Sequence, residues 1–307
     1  MSFGDDGLAT HELPPRADEL ELSQHQYETD DGLLIATTRY TPVGTAPTAV
    51  LWCLAGGGCT RDFWDFEVRD EPRESYSFAR YLARRGVIVV TADHLGAGDS
   101  SRPTDERLTS SASLASHMSE AIAQARRDPA LADLPLFGVG HSFGAGMTLR
   151  QQDLHHDFDA LVLLGWSSIQ LAIVYADGVI KALGTPGKRA RIVVSNLGFD
   201  ADQRLVDANM SVATPQPQPA VSEVTTAGYL LAASRGVRVP VYLGFGEFDT
   251  LLDPVAETEL YADAPSVTAA VLPGSYHFHN LQPGRELLWS GIADFVGKQA
   301  TTGGRVS

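Results

Sequence analysis

Cysteine is almost missing from this chain: Cys53 and Cys59 are the only two in 307 residues, too few for a disulfide framework. Positive charge is also scarce. Lys and Arg total 23 against 38 Asp and Glu, a formal charge of −15. Holding nucleic acid by its phosphates, or docking on anionic lipid, requires clustered Lys and Arg, so neither nucleic acid nor a membrane is expected as a partner. The acidity reads as solubility. No apolar run approaches the roughly eighteen residues needed to span a bilayer. The opening MSFGDDGLATHELPPRADELELS has neither a basic start nor an apolar stretch. A secretory signal is therefore not expected there, and a cytoplasmic location is.

What remains is ordinary globular material, 44% hydrophobic and 20% charged, long enough for a sizeable core. Residues 1–22, acidic and proline-bearing, read as a flexible arm, and the strand pattern starts near Tyr27. LLIATTRYTP ends at a proline turn, and TAVLWCLAGGG is an apolar run stopped by glycines. Apolar runs without polar alternation suit strands buried on both faces of a parallel sheet. The alternation then continues. Helix ESYSFARYLARRG ends at Gly86, followed by strand VIVVTAD, helix SLASHMSEAIAQARRD, strand LPLFGVG, helix FGAGMTLRQQDLHH and strand FDALVLLGW. VPVYLGFG, PVAETELYAD, VTAAVLPG and GRELLWSGIADFVGKQ repeat the rhythm near the C-terminus. Strand and helix taking turns predict an α/β fold, a doubly wound, mostly parallel sheet. The core domain is assigned to 23–168 and 237–300. Residues 169–236 contain no buried strand and carry TPQPQPAV among helical patches, so they are read as a helical cap insertion. Residues 301–307 are read as a frayed end.

Chemistry concentrates around Ser142 in GVGHSFGAGM. The serine follows a predicted strand and precedes a predicted helix, with Gly140 and Gly144 two residues to either side. That pattern is a sharp strand-to-helix turn which lifts the hydroxyl clear of the sheet and aims the helix N-terminus at whatever the serine attacks. A serine hydroxyl is a weak nucleophile at neutral pH and needs a base held by a carboxylate. The ends of two later strands supply candidates, Asp249 in GFGEFD and His277 in GSYHFHN. Open α/β sheets carry their sites along that edge.

These motifs resemble the α/β-hydrolase superfamily, from about Tyr27 to Gln299. GHSFG is similar to its nucleophile elbow, GEFD to its acid turn and LPGSYHFHN to its histidine loop. DHLGAGDS (93–100) is similar to the loop after the fourth strand, and LAGGGCTRDFW to the loop after the third. The resemblance implies Ser142, Asp249 and His277 as catalytic residues. It also implies an oxyanion hole made by the N–H of Phe143 and one from the glycine loop, Gly57 before Gly58. Three positions depart from the pattern: Ala55 where histidine is common, Tyr276 where glycine is, and Pro254 one residue late.

Each role has rivals in the sequence. His279 competes with His277 and otherwise lines the site or bonds to backbone; a His-x-His metal site lacks a third ligand. Glu247 and Asp253 compete with Asp249, Asp253 reading more simply as a helix N-cap. His155 and His156 suit a helix end. Asp93 and Asp99 fix loop geometry. Cys53 reads as core, and nothing around Cys59 marks it as a nucleophile. Trp166, His141, Trp64 and Tyr175 are candidates to border the substrate, with Trp166 an apolar wall at the mouth of the cap; core or cap packing is the competing role for the aromatics.

The expected function is hydrolysis of a carboxylic ester or lactone of a medium-sized apolar small molecule through an acyl-enzyme, with no metal or organic cofactor. Thioesterase, carbon–carbon bond hydrolase, peptidase and perhydrolase chemistry use the same groups. A serine nucleophile disfavours dehalogenase and epoxide hydrolase chemistry, which needs a carboxylate. The alternative outside enzymology is a catalytically silent fold that binds a ligand. The sequence permits a homodimer.

Overall fold

The apolar runs VLWCL and IVVTA become β3 (Val50–Leu54) and β4 (Ile88–Ala92), with every residue buried. β5 (Leu136–His141), β6 (Ala160–Leu164) and β7 (Val241–Gly246) are buried throughout as well. Successive side chains on a strand point to opposite faces, so a run that is apolar at every position must be covered twice. Val50, Trp52 and Leu54 accordingly enter one core, while Leu51 and Cys53 enter the other. The first core is closed by helices α2 (Ser111–Ala125) and α4 (Phe143–His155), and the second by α1 (Phe78–Ala83) and α9 (Arg285–Thr302).

The computed structural model describes residues 19–171, 193–251 and 253–302. Among them one sheet runs in the order β1-β2-β4-β3-β5-β6-β7-β8, with β1 (Leu20–Glu28), β2 (Leu34–Pro42) and β8 (Val267–Leu272) completing it. The pairings β1–β2 and β2–β4 are antiparallel, and all the others are parallel. The α/β class read from the sequence is the observed one.

One boundary is corrected. The arm expected over 1–22 gives way to strand at Leu20, not near Tyr27, because LELSQHQYE pairs along its whole length with β2. Among the described residues β1 pairs with β2 alone and alternates half-buried with exposed positions over Ser23–Glu28, so its backbone ladder holds it together with the packing of Leu20 and Tyr27 on the two cores. At the other end α9 runs to Thr302, past the expected fray at 301.

Between β6 and β7 lie α5 (Gln203–Ser211), α6 (Gln218–Val224) and α7 (Leu231–Gly236), the described part of the segment read as a cap. Helix α6 packs on α2 and α4, and α7 on α4, so Ala220, Val224 and Ala233 join the first core. The short α3 (Pro129–Ala132) and α8 (Pro254–Glu259) both begin with proline behind an Asp whose carboxylate caps them, Asp128 and Asp253. Among the described residues no helix is long and apolar enough to cross a membrane.

Candidate active site

Ser142 is the single residue between β5 and α4, and its backbone sits at φ 53°, ψ −123°. For an L-residue this conformation costs on the order of 1–3 kcal/mol and persists only where the surroundings enforce it. The enforcement is visible. The Ser142 N–H donates to the carbonyl of Leu164 at the end of β6 (2.8 Å), and its own carbonyl accepts the N–H of Ala145 (2.9 Å). A Cβ on Gly140 would lie 2.4 Å from Cα of Ala145, and one on Gly144 would lie 2.1 Å from the carbonyl oxygen of Leu54. Both glycines therefore answer to space: helix and strands approach too closely for any side chain. The hydroxyl of Ser142 caps no helix N–H.

Asp249 lies just past β7 with its side chain wholly buried. Oδ1 accepts the Thr250 N–H (2.7 Å) and the imidazole Nδ1–H of His277 (2.6 Å); Oδ2 accepts the Gly246 N–H (3.0 Å) and Nε2–H of His279 (2.7 Å). Burial pushes this carboxyl up, but the adjacent His277 and His279 outweigh it and hold the group well below the usual carboxylate range. Asp249 is thus a fully buried anion. His277 is buried on the loop after β8, its ring against Gly165, where a Cβ would fall 2.9 Å from Nδ1. Ser142 and His277 therefore meet the same chain end, Leu164–Gly165.

His141 stands directly behind this pair. Its Nε2–H donates to the carbonyl of His277 (2.8 Å), and its ring stacks on Phe63 with centroids 4.5 Å apart. Burial first, then the neighbouring His277 and His279, depress it well below the usual histidine value, so it is neutral. Three histidines thus crowd one carboxylate, and their second nitrogens tell them apart. Nδ1 of His141 and Nδ1 of His279 are sealed off without partners among the described residues. His277 spends Nδ1 on Asp249 and leaves Nε2 open.

The glycine loop after β3 runs beside the N-terminus of α4. A Cβ on Gly57 would come within 3.4 Å of Cβ of Phe143. Phe143 opens α4, so its N–H is one of the helix's unpaired donors, and neither it nor the Gly57 N–H finds an acceptor among the described residues. The loop is tied down on its far side, where the Thr214 N–H donates to the Gly58 carbonyl (2.9 Å) and the Thr60 N–H to the Val212 carbonyl (2.8 Å). A cleft of ≈ 490 Å³ opens along it, walled by Gly57, Gly58, Cys59, Met210, Gln216 and Phe278 among others, with no charged side chain among the described residues of its lining. Burial pushes the Cys59 thiol up to about 12, so it remains protonated and inert.

The loops after β3 and β4 are latched together by charge. Arg61 pairs with Asp93 and with Asp99 (2.8 Å) and donates to Thr38 Oγ1 (3.0 Å), while the Asp99 N–H returns to Asp93 (3.0 Å). His94, not singled out from the sequence, donates Nε2–H to the Ala55 carbonyl (3.2 Å) and meets the Phe143 ring edge-on at 4.9 Å. Burial lowers its pKa to about 4.

Several substrate-bordering expectations are corrected by burial. Trp166 is fully buried, its indole N–H on Ser168 Oγ (3.0 Å) and its ring over Gly146. Trp64 is fully buried between Phe63 and Phe78. Both fill core, and His141 faces inward as described. Tyr175 lies outside the described residues. Among the rivals, Glu247 instead accepts the Gly274 N–H at the surface (2.7 Å). His279 bonds neither backbone nor cleft with its ring, but the acid.

The family model described as Serine aminopeptidase, S33, matches residues 73–280. A thermophilic esterase from Thermogutta terrifontis superposes with TM-score 0.66 at 13% identity, over 91% of this chain and 99% of that one. A proline iminopeptidase from Mycobacterium smegmatis gives 0.66 at 16% (92% and 100%). A haloalkane dehalogenase loop variant from Bradyrhizobium elkanii gives 0.65 at 13% (92% and 99%). At such identities the likeness is one of fold, and three different chemistries share it. No curated protein sequence matches the chain.

Proposed function

The chain belongs to the serine aminopeptidase (S33) family of α/β-hydrolases, and on that premise we propose that it is a serine hydrolase cleaving a carboxylic ester or lactone of a neutral, medium-sized apolar molecule. Ser142 Oγ attacks the carbonyl carbon while Nε2 of His277 takes its proton. Asp249, on Nδ1–H, holds the ring in the required tautomer and stabilises the imidazolium. The tetrahedral oxyanion lies between the N–H groups of Phe143 and Gly57, with Gly58 the next candidate donor. The leaving alcohol takes the proton from His277. Water, deprotonated by the same nitrogen, then releases the acid and restores Ser142.

The observation that carries this reading is the 2.6 Å contact of His277 Nδ1 with buried Asp249, seated against Gly165, the residue after the Leu164 carbonyl that anchors the strained Ser142. The cleft beside the glycine loop is lined, among the described residues, by amides and apolar groups without charge, which supports a neutral ester over a peptide amino terminus. An α-ammonium there would find no counter-charge among the described residues, and desolvating it unpaired costs several kcal/mol. A fluorophosphonate probe should label the protein and leave Ser142→Ala unlabelled, and p-nitrophenyl esters of graded acyl length should lose at least about 10³-fold in kcat with that variant. Intact protein that resists the probe and leaves esters, lactones and thioesters untouched would return the chain to the ligand-binding alternative.

A further inference from the structure

His279 has no task in the proton transfer just described, yet it is buried more deeply than His277, its side chain 1% exposed against 8%. It reaches Asp249 because HFH places two rings on one tight turn. The His279 N–H donates back to the His277 carbonyl (3.0 Å). Phe278 between them is buried against Phe63, Phe66 and His141. Both imidazoles are thereby directed at one carboxylate.

The hydrogen bonds around the second ring place its proton. Its Nδ1 is sealed without a partner among the described residues. A proton there would be an unsatisfied buried donor beside two other histidines, so the geometry puts the ring proton on Nε2, toward Asp249. Each carboxylate oxygen then receives one backbone N–H and one imidazole N–H, with the Thr250 hydroxyl a longer third donor to Oδ1 (3.4 Å). Without His279, Oδ2 would keep only the Gly246 N–H. The carboxylate could then rotate, and more of its charge would fall on Oδ1.

We propose that His279 is a positioning residue for the Asp249–His277 pair: its Nε2–H pins Oδ2 so that Oδ1 faces His277, and it draws off part of the carboxylate charge that His277 would otherwise feel. This rests on the reading of Ser142, His277 and Asp249 as the catalytic groups. The titratable groups packed around the carboxylate are His277 and His279 from the loop after β8, with His141 of β5 behind them.

Two measurements test it. In protein carrying imidazole-¹⁵N histidine, His279 should show the neutral Nε2–H tautomer at pH 7. A neutral Nδ1–H form, or a protonated ring, overturns the proposal, and this readout needs neither activity nor a variant. The second measurement is the rate of fluorophosphonate labelling against pH. Folded His279→Leu should label about 10–100-fold more slowly, the effect of one charge-assisted hydrogen bond. Its acid limb should move to higher pH, because Asp249 then favours the protonated His277 more strongly. His279→Gln, which keeps a donor, should stay within about threefold of wild type. A leucine variant with wild-type rate and profile, or a glutamine variant that falls as far as leucine, overturns the proposal. Wild-type protein that never labels overturns the serine-hydrolase reading instead, while the tautomer of His279 is still decided by the spectrum.

Discussion

Gly165 follows β6 at φ +58°, and a Cβ there would lie 2.9 Å from Nδ1 of His277, 3.0 Å from its Cε1 and 3.4 Å from Asp249 Oδ1. Gly165→Ala therefore carries two separable costs. The left-handed backbone costs an L-residue about 1–2 kcal/mol. The new methyl must also clear the ring, and since ordinary contact begins near ~3.5 Å, His277 has to retreat by roughly half an ångström. That retreat acts on a 2.6 Å hydrogen bond to Asp249. Where a misplacement of ~1 Å costs about 100-fold in rate, half of that corresponds to about 10-fold, rising toward 100-fold if the ring tilts. Gly44 supplies the matched control: its φ is +77°, and a Cβ there meets nothing within 4 Å. Gly44→Ala bears the backbone cost alone. Thermal denaturation followed by circular dichroism should show both variants lowered by roughly 2–8 °C, the equivalent of about 1–2 kcal/mol in a chain of this size. Only Gly165→Ala should lose kcat on a p-nitrophenyl ester. Equal kcat in the two variants would refute the argument that Gly165 exists to seat His277.

Three other outcomes follow from named contacts. Asp249→Asn presents an amide to His277 Nδ1–H and removes the anion, and the fluorophosphonate labelling rate should fall by about 10³–10⁴ with the fold intact. A loss under tenfold would mean that another carboxylate serves. His94, held neutral by burial with a pKa of about 4 against 6.5 unfolded, makes stability drop as pH falls through that window, because only the unfolded chain takes up the proton. Urea unfolding of His94→Gln should show a loss between pH 7 and pH 5 that is about 2 kcal/mol smaller than wild type, and an unchanged slope would contradict the assignment. Arg61→Ala strands the wholly buried carboxylate of Asp93. Urea unfolding should show about 3–5 kcal/mol lost, whereas a cost below about 1 kcal/mol would mean that water reaches the site.

The parts legible from sequence are those where a physical demand falls on consecutive residues. Strands β3 to β7 were readable because burial on both faces forbids polar alternation. The turn at Ser142 was readable because the close approach of α4 to β3 and β5 excludes any Cβ at Gly140 and Gly144. β1 was hidden since an edge strand can be held by its backbone ladder, and LELSQHQYE has no continuous apolar face. The misread side chains share another cause. Sequence gives nearness along the chain and not direction. His141 and Trp166 each lie next to a strand end by the site, yet both point into the interior. The pairing of His279 with Asp249 depends on how a short loop is folded, and nothing in HFH distinguishes two rings on one carboxylate from two rings facing apart.

That arrangement also bears on which histidine can serve as base. Asp249 is the one buried anion in the cluster, and a second proton among three neighbouring rings is favoured only on a ring that can point it at a partner or at solvent. His141 cannot accept it, since its free Nδ1 is sealed and Nε2–H is committed to the His277 carbonyl. His279 is closed in the same way, with Nδ1 sealed and Nε2–H committed to Asp249. His277 alone has a nitrogen left open, while its other nitrogen already touches the anion that would stabilise its positive charge. Three histidines of the same intrinsic basicity thus leave one candidate for the proposed base, singled out by where their second nitrogens lie. The two that are closed hold the third in place, one through its carbonyl and the other through its carboxylate.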